Sequence, residues 1–184
     1  LFEDLEFATK AAIEEKNNIA KYAYSMEKNN NFFYSIIRNF RKRMISKGWL
    51  YDDSYNLNKT LPQNKKNIFI FSSGDKNVCS IENTPMTKNK KGEISLAVIE
   101  MNNYVQLTLL KDLFPDDSII FEKYDISETP HWFFLFYKVK DKVKIELSLP
   151  EGIDNKTHKI RKWSERIILP KIYSYRRAFT KYIR

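Results

Sequence analysis

Apolar and polar residues alternate most regularly between His131 and Leu149. Val143, Ile145, Leu147 and Leu149 fall on one side of an extended chain. Lys142, Lys144, Glu146 and Ser148 fall on the other. This period of two marks a half-buried strand. The preceding run, Trp132-Phe133-Phe134-Leu135-Phe136-Tyr137, is apolar on both sides, as a central strand covered on both faces is. Together the two segments predict a hairpin over 131–149. Directly opposite residues share a face. Matching apolar to apolar therefore predicts a three-residue loop, Lys140-Asp141-Lys142, with Val139 opposite Val143, Tyr137 opposite Ile145 and Leu135 opposite Leu147. Pro150 cannot donate to a ladder and is expected to end the second strand. In this register the second face carries Trp132, Phe134 and Phe136 beside Lys144, Glu146 and Ser148. Aromatics beside lysines can stack bases and hold phosphates. The commoner fate of such rings is burial, here under a helix.

Around this hairpin the pattern predicts helices at both ends. Phe2, Leu5, Ala8, Ala12, Ile19, Ala23 and Met26 lie near one helical face over 2–27, weak at Glu14 to Asn18, so that two shorter helices are an alternative. Asn29-Asn30-Asn31 is expected to break the chain. Phe32, Phe33, Ile36, Ile37, Phe40, Met44 and Ile45 then give a clear amphipathic helix over 32–47, with Arg38, Arg41 and Lys42 on the opposite stripe and Gly48 at the stop. The helix–break–helix order, followed by Gly48-Trp49-Leu50-Tyr51, loosely resembles a helix-turn-helix domain running into a wing. Residues 51–66 are polar and expected as loop. Short strands are predicted at 67–72, 94–101 and 119–124, while 103–114 fits neither period. After Pro150, Ile160, Trp163 and Ile167, then Ile172, Tyr175, Phe179 and Tyr182, recur at helical spacing. The fold class is thus α+β. A mainly antiparallel sheet of about five strands is built round the hairpin and flanked by N-terminal and C-terminal helices. Residues 1–50 form a helical segment and 51–184 an α+β body, the two making one compact domain.

Composition narrows the class. A chain of 184 residues with 42% hydrophobic and 15% aromatic content can bury one core, and four glycines with six prolines exclude a low-complexity chain. The longest apolar run, Trp132 to Tyr137, is too short to span a membrane as a helix. One cysteine, Cys79, excludes an internal disulfide. With two histidines, His131 and His158, it argues against a Cys/His zinc site, and neither histidine is assigned a role. A reducing, cytoplasmic setting is expected.

Charge placement says more than the total of +9. Residues 29–66 carry a net +6 and residues 151–184 a net +7, while the segment holding the hairpin is slightly acidic. Lysine, asparagine and isoleucine richness follows from an AT-rich coding sequence, but arginine does not. All eight arginines fall in the two basic blocks. Arginine suits phosphate. The expected function is therefore nucleic-acid binding through two basic helical blocks, 38–47 and 159–177, with Arg38, Arg41, Lys42, Arg43, Lys159, Arg161, Lys162, Arg166, Arg176 and Arg177 on phosphates. A phage, mobile-element or defence context fits such a chain. The alternative partner is an acidic protein, gripped by the same surface as an inhibitor module would grip it. Nothing points to a membrane partner.

Two further patterns bear on chemistry. The loop Thr84-Pro85-Met86-Thr87-Lys88-Asn89-Lys90-Lys91-Gly92-Glu93 gathers three lysines beside a glycine and is a candidate phosphate site, without the spacing of a P-loop. Asp116 and Asp117 with Lys144 and Glu146 are candidate nuclease residues, for which Mg²⁺ would be the cofactor; otherwise no cofactor is expected. Pro115-Asp116 followed by Glu146-Leu147-Ser148 resembles the restriction-endonuclease-like PD-(D/E)xK pattern. Ser148 stands where that pattern has lysine, and Lys144 would substitute.

Overall fold

The computed structural model describes residues 1–18, 25–108, 128–139 and 142–173. Within them the chain runs α1 (Phe2–Asn18), α2 (Ser25–Ile45), β1 (Leu50–Asp52), β2 (Lys59–Leu61), β3 (Ile68–Ser73), α3 (Glu93–Thr108), β4 (His131–Val139), β5 (Lys142–Asp154), β6 (Lys159–Ile168) and β7 (Ile172–Tyr173). The α+β class holds. The sheet has seven strands among the described residues rather than five, in the order β1-β2-β3-β4-β5-β6, and β7 continues β6 along β5. It is mixed: β3 and β4 are parallel, and all other pairs are antiparallel. A parallel pair needs a crossover, and α3 lies in that connection.

The hairpin is central, but its register differs from the apolar match. Lys142 pairs with Val139, so the loop is two residues long, and Lys138 faces Val143, Phe136 faces Ile145 and Phe134 faces Leu147. The mixed aromatic–lysine face therefore does not form. Phe134 and Phe136 share a face with Val143, Ile145 and Leu147, and α1 and α2 cover it. Phe133 and Leu135 share the other face with Ile68, Ile70 and residues Val98 and Ile99 of α3. Ring size decides this: two large aromatics find a deeper core under two helices than an alternating lysine row offers. Lys138 then falls on the helix side, at its margin, where its Nζ lies 4.4 Å from the Phe32 ring centroid.

The two N-terminal helices run antiparallel. Asp4 at the start of α1 meets Arg43 and Lys47 at the end of α2, and Glu15 near the end of α1 meets Arg38 and Asn39. Instead of breaking at the asparagine run, α2 continues through it. It stops at Gly48, whose φ of +83° suits a left-handed cap. Gly48 N–H donates to the Ile45 carbonyl and Trp49 N–H to the Met44 carbonyl, the paired bonds of a Schellman motif. Phe32, Ile36, Ile37, Phe40 and Met44 are buried in the core beneath, so this face of α2 packs on the sheet.

Asp4 is the polar pin of this layer. Its side chain is 2% exposed and accepts from Lys47 Nζ at 2.7 Å and Arg43 Nε at 2.9 Å. The Lys47 hydrogen bond, opposed by burial and helped by Arg43, holds its pKa down to about 2 against an ordinary 3.8. A lowered carboxylate stabilises the fold above its unfolded pKa, and that stabilisation is lost as pH falls toward the folded value. Asp4→Asn is expected to cost about 1–2 kcal/mol at neutral pH, since Lys47 and Arg43 are half exposed. Urea unfolding at several pH values checks this. The gap between wild type and variant should close between about pH 4 and pH 2, and a gap that ignores pH would rule the pin out.

Three other segments depart from the sequence pattern. Residues 51–66 contain β1 and β2 rather than loop alone. Residues 94–101 are the first half of α3, not a strand. The expected C-terminal helix at 159–168 is instead β6, and β5 passes through Pro150 to Asp154. The pairing of β5 with β6 shifts register around Pro150 and Gly152. Pro150 sits opposite Trp163 between two of these irregularities, and bulges are where a proline is tolerated in a sheet. The expected strand at 119–124 and residues 174–184 lie outside the described residues.

Candidate nucleic-acid interface and its adjoining pocket

The first basic block is largely neutralised inside the fold. The Arg41 side chain is 12% exposed. It forks onto Asp53 at 3.0 and 2.7 Å and also reaches the Lys59 carbonyl and Thr60 Oγ1. It thereby clamps the β1–β2 hairpin to α2. Arg38 pairs with Glu15 at 2.5 Å. Arg43 pairs with Asp4 and lies 4.5 Å from the Phe7 ring centroid. Lys42 is exposed. The arginines that marked this block thus tie helix to helix and helix to sheet.

The second block is a strand at the edge of the sheet. Arg161 and Lys162 are exposed and Lys159 half-buried. Arg166 turns inward instead. Its Nε and Nη2 donate to Glu146 at 3.0 and 2.8 Å, and Nη2 also donates to the Ser80 carbonyl. Arg176 and Arg177 lie outside the described residues.

Glu146, one of the nuclease candidates, is fully buried. Its Oε1 accepts from Ser148 Oγ at 2.9 Å and from Arg166 Nε; its Oε2 accepts from the Cys79 amide at 2.6 Å and from Arg166 Nη2. Four donors fill the four lone-pair positions of the carboxylate. Cys79 reaches it with a φ of +61°. Burial, with the Glu146 charge beside it, pushes the Cys79 thiol up to about 11, far from the range of a reactive cysteine. Lys144 Nζ donates to the Lys76 carbonyl at 3.3 Å. Asp116 and Asp117 lie outside the described residues. His131 is buried and held neutral, down to about 4, chiefly by desolvation. Its backbone is gripped at both N and O by the Asn102 amide.

What the sequence kept apart, the fold joins. Loop 84–93 is bonded to the start of β6: Thr87 N–H donates to the Ile160 carbonyl, Ile160 N–H to Thr87 Oγ1, and Lys91 N–H to the His158 carbonyl. On its other side Lys88 N–H donates to the Ser73 carbonyl at the end of β3. Trp163 Nε1 donates to the Pro85 carbonyl. Exposed Lys88 and Lys90 therefore belong to a loop whose backbone is bonded to the start of the strand that carries Lys159 and Arg161. Among the described residues none of these lysines, nor Lys162, has a carboxylate within 4 Å, and Arg161 has only Asp154 at 3.9 Å. Asp154 is itself occupied by the amides of Lys156 and Thr157 and by the Thr157 hydroxyl.

A cavity of about 430 Å³ opens beside this basic surface, between α2, the end of β3 and the loop. Tyr34, Asn58, Ser72, Ser73, Lys88 and Lys91 are among its walls. A second cavity of about 530 Å³ adjoins it across Asn56, Leu57, Asn89 and Lys91 and borders the first turn of α3. Lys91 Nζ donates to Ser72 Oγ at 2.9 Å and lies 5.9 Å from the Phe133 ring centroid. Burial lowers its pKa to about 8. No carboxylate pairs with it among the described residues. Comparison with protein families, with curated proteins and with solved structures gives no match for this chain. No helix among the described residues is long and apolar enough to cross a membrane, and no three of their His, Cys, Asp and Glu side chains group to hold a metal ion.

Proposed function

We propose that the chain binds nucleic acid, through the face formed by loop 84–93 and the start of β6. The reading rests on Lys88 and Lys90 in a loop bonded to the start of β6, and on Lys156, Lys159 and Arg161 at that strand, with Asp154 the one carboxylate within 4 Å of any of them among the described residues. Structural lysines on a folded surface are usually interleaved with carboxylates. A run of cations at one edge creates a field that attracts and steers polyanions. The arrangement differs from two helical blocks, since the second block is a strand and the three α2 arginines pair with Glu15, Asp53 and Asp4.

Filter binding or fluorescence anisotropy with short duplex and single-stranded DNA and RNA tests the reading. The expected result is an affinity that falls steeply with salt, with a log–log slope of about −3 to −5 for four or five phosphate contacts. Lys159→Ala with Arg161→Ala should flatten that slope by about two, while Lys42→Ala should leave it nearly unchanged. An absence of salt-sensitive binding to any of these at low ionic strength overturns the reading. It would leave the same cations for an acidic protein partner, which co-purification free of nucleic acid would then reveal.

A further inference from the structure

The cavity beside the basic face has a composition of its own. Among the described residues its cations are Lys88 and Lys91, both from the loop, its polar walls are Tyr34, Ser72, Ser73, Asn56, Asn58 and Asn89, and no carboxylate lines it. The half-buried Lys91 ammonium has one hydroxyl partner and no counter-ion among the described residues, which leaves two of its three donors for solvent or a ligand. An anion seated in the cavity would take up the remaining donors and compensate the charge. Tyr34, 59% exposed and in a T-shaped pair with Phe33 at a centroid distance of 5.4 Å, also lines the cavity and offers an aromatic ring to a planar group. Cavities of about 300–1,000 Å³ are of the size that holds small organic ligands, and 430 Å³ falls in that range.

We infer that this cavity binds a nucleotide phosphate monoester, with Lys88 and Lys91 on the phosphate, Tyr34 stacked on the base, and the asparagine amides along the base edge. Two sources supply that chemistry: a free mononucleotide, or the phosphorylated 5′ end of a strand lying on the neighbouring basic face. The inference shares a loop with that face but does not require polymer binding, since Lys91 points into the cavity and the residues of β6 do not line it.

Calorimetric titration of the full chain with 5′-AMP, adenosine and inorganic phosphate at one ionic strength tests it. AMP should bind at least about tenfold more tightly than adenosine, because charge-assisted bonds to phosphate are the stronger part. Lys91→Met should weaken AMP by about ten- to hundredfold. Lys88→Met, at an exposed position that leaves the fold intact, should weaken it in the same direction. Tyr34→Ala should weaken AMP while leaving inorganic phosphate unchanged. A 5′-phosphorylated oligonucleotide that binds more tightly than its 5′-hydroxyl twin, and loses that advantage in Lys88→Met, would make the strand end the source. AMP binding with no such advantage would make it a free nucleotide. Equal affinity for AMP and adenosine, no binding of AMP at millimolar concentration, or Lys88→Met and Lys91→Met proteins that bind AMP as wild type does, would each overturn the inference. Lys159→Ala with Arg161→Ala separates the two readings: it should weaken long strands and spare AMP.

Discussion

Replacing Arg166 with methionine is expected to destabilise the protein by about 3–5 kcal/mol, because it strands a buried carboxylate. Glu146 is fully buried, and two of its four donors belong to Arg166. The Arg166 side chain, 20% exposed, also holds the Ser80 carbonyl, so one substitution releases β6 from both β5 and the 75–80 turn. The remaining donors, the Cys79 amide and the Ser148 hydroxyl, cannot neutralise a charge in a medium of low polarity. Removing the charge as well should return part of the loss: Arg166→Met with Glu146→Leu is expected to recover about half or more, as replaced buried pairs do elsewhere. Recovery stays incomplete because the Cys79 amide then loses its acceptor. Urea unfolding of the two single variants and the double variant gives the coupling energy directly. Additive effects would mean that Glu146 and Arg166 do not act as one unit.

The second large effect is expected at Phe134. Its ring is 1% exposed and lies 5.1 to 5.6 Å, centroid to centroid, from Phe71, Phe69 and Phe40. It is where α2 meets β3 and β4. Phe134→Ala should cost about 3–5 kcal/mol, since the three packed rings around it cannot collapse into the space left. In a domain of this length that lowers the melting temperature by about 10 °C or more. Phe134→Leu should cost markedly less, about 1–2 kcal/mol, because most of the volume is kept. A Phe134→Ala protein within about 1 kcal/mol of wild type would contradict the placement of α2 over this face.

The points at which the sequence misled have identifiable causes. The buried residues of α3 are Ser95, Ala97, Val98, Ile99, Met101 and Asn102. Two of these are polar, and Asn102 is buried because it serves the backbone of His131. A hydrophobicity pattern cannot register such residues, so Ile94, Leu96 and Val98 passed for an alternating strand. In β6 the inward residues are Ile160, Trp163 and Arg166. The pairing shifts around Pro150 and Gly152 place extra residues in the strand and convert a spacing of two into a spacing of three, which imitates a helix. In the hairpin, the apolar match failed because both faces of β4 are apolar, so composition could not say which set belongs under α1 and α2.

What the sequence by itself determined is the part governed by local pattern and by bulk burial. That part comprises the α+β class, the central hairpin, the amphipathic helix ending at Gly48, the strand at Ile68–Ser73, and the gathering of positive charge in two blocks. Tertiary structure alone decided what those charges do. Arg38, Arg41, Arg43 and Arg166 look alike in sequence to Lys88, Lys159 and Arg161, yet the first group meets Glu15, Asp53, Asp4 and Glu146 across long separations while the second meets almost no carboxylate. An ion pair depends on distance in space, and no local period encodes the approach of Arg166 to Glu146 or of loop 84–93 to β6. The hairpin is thus the scaffold, and loop 84–93 is joined to the sheet edge at the start of β6 by bonds that only the fold creates.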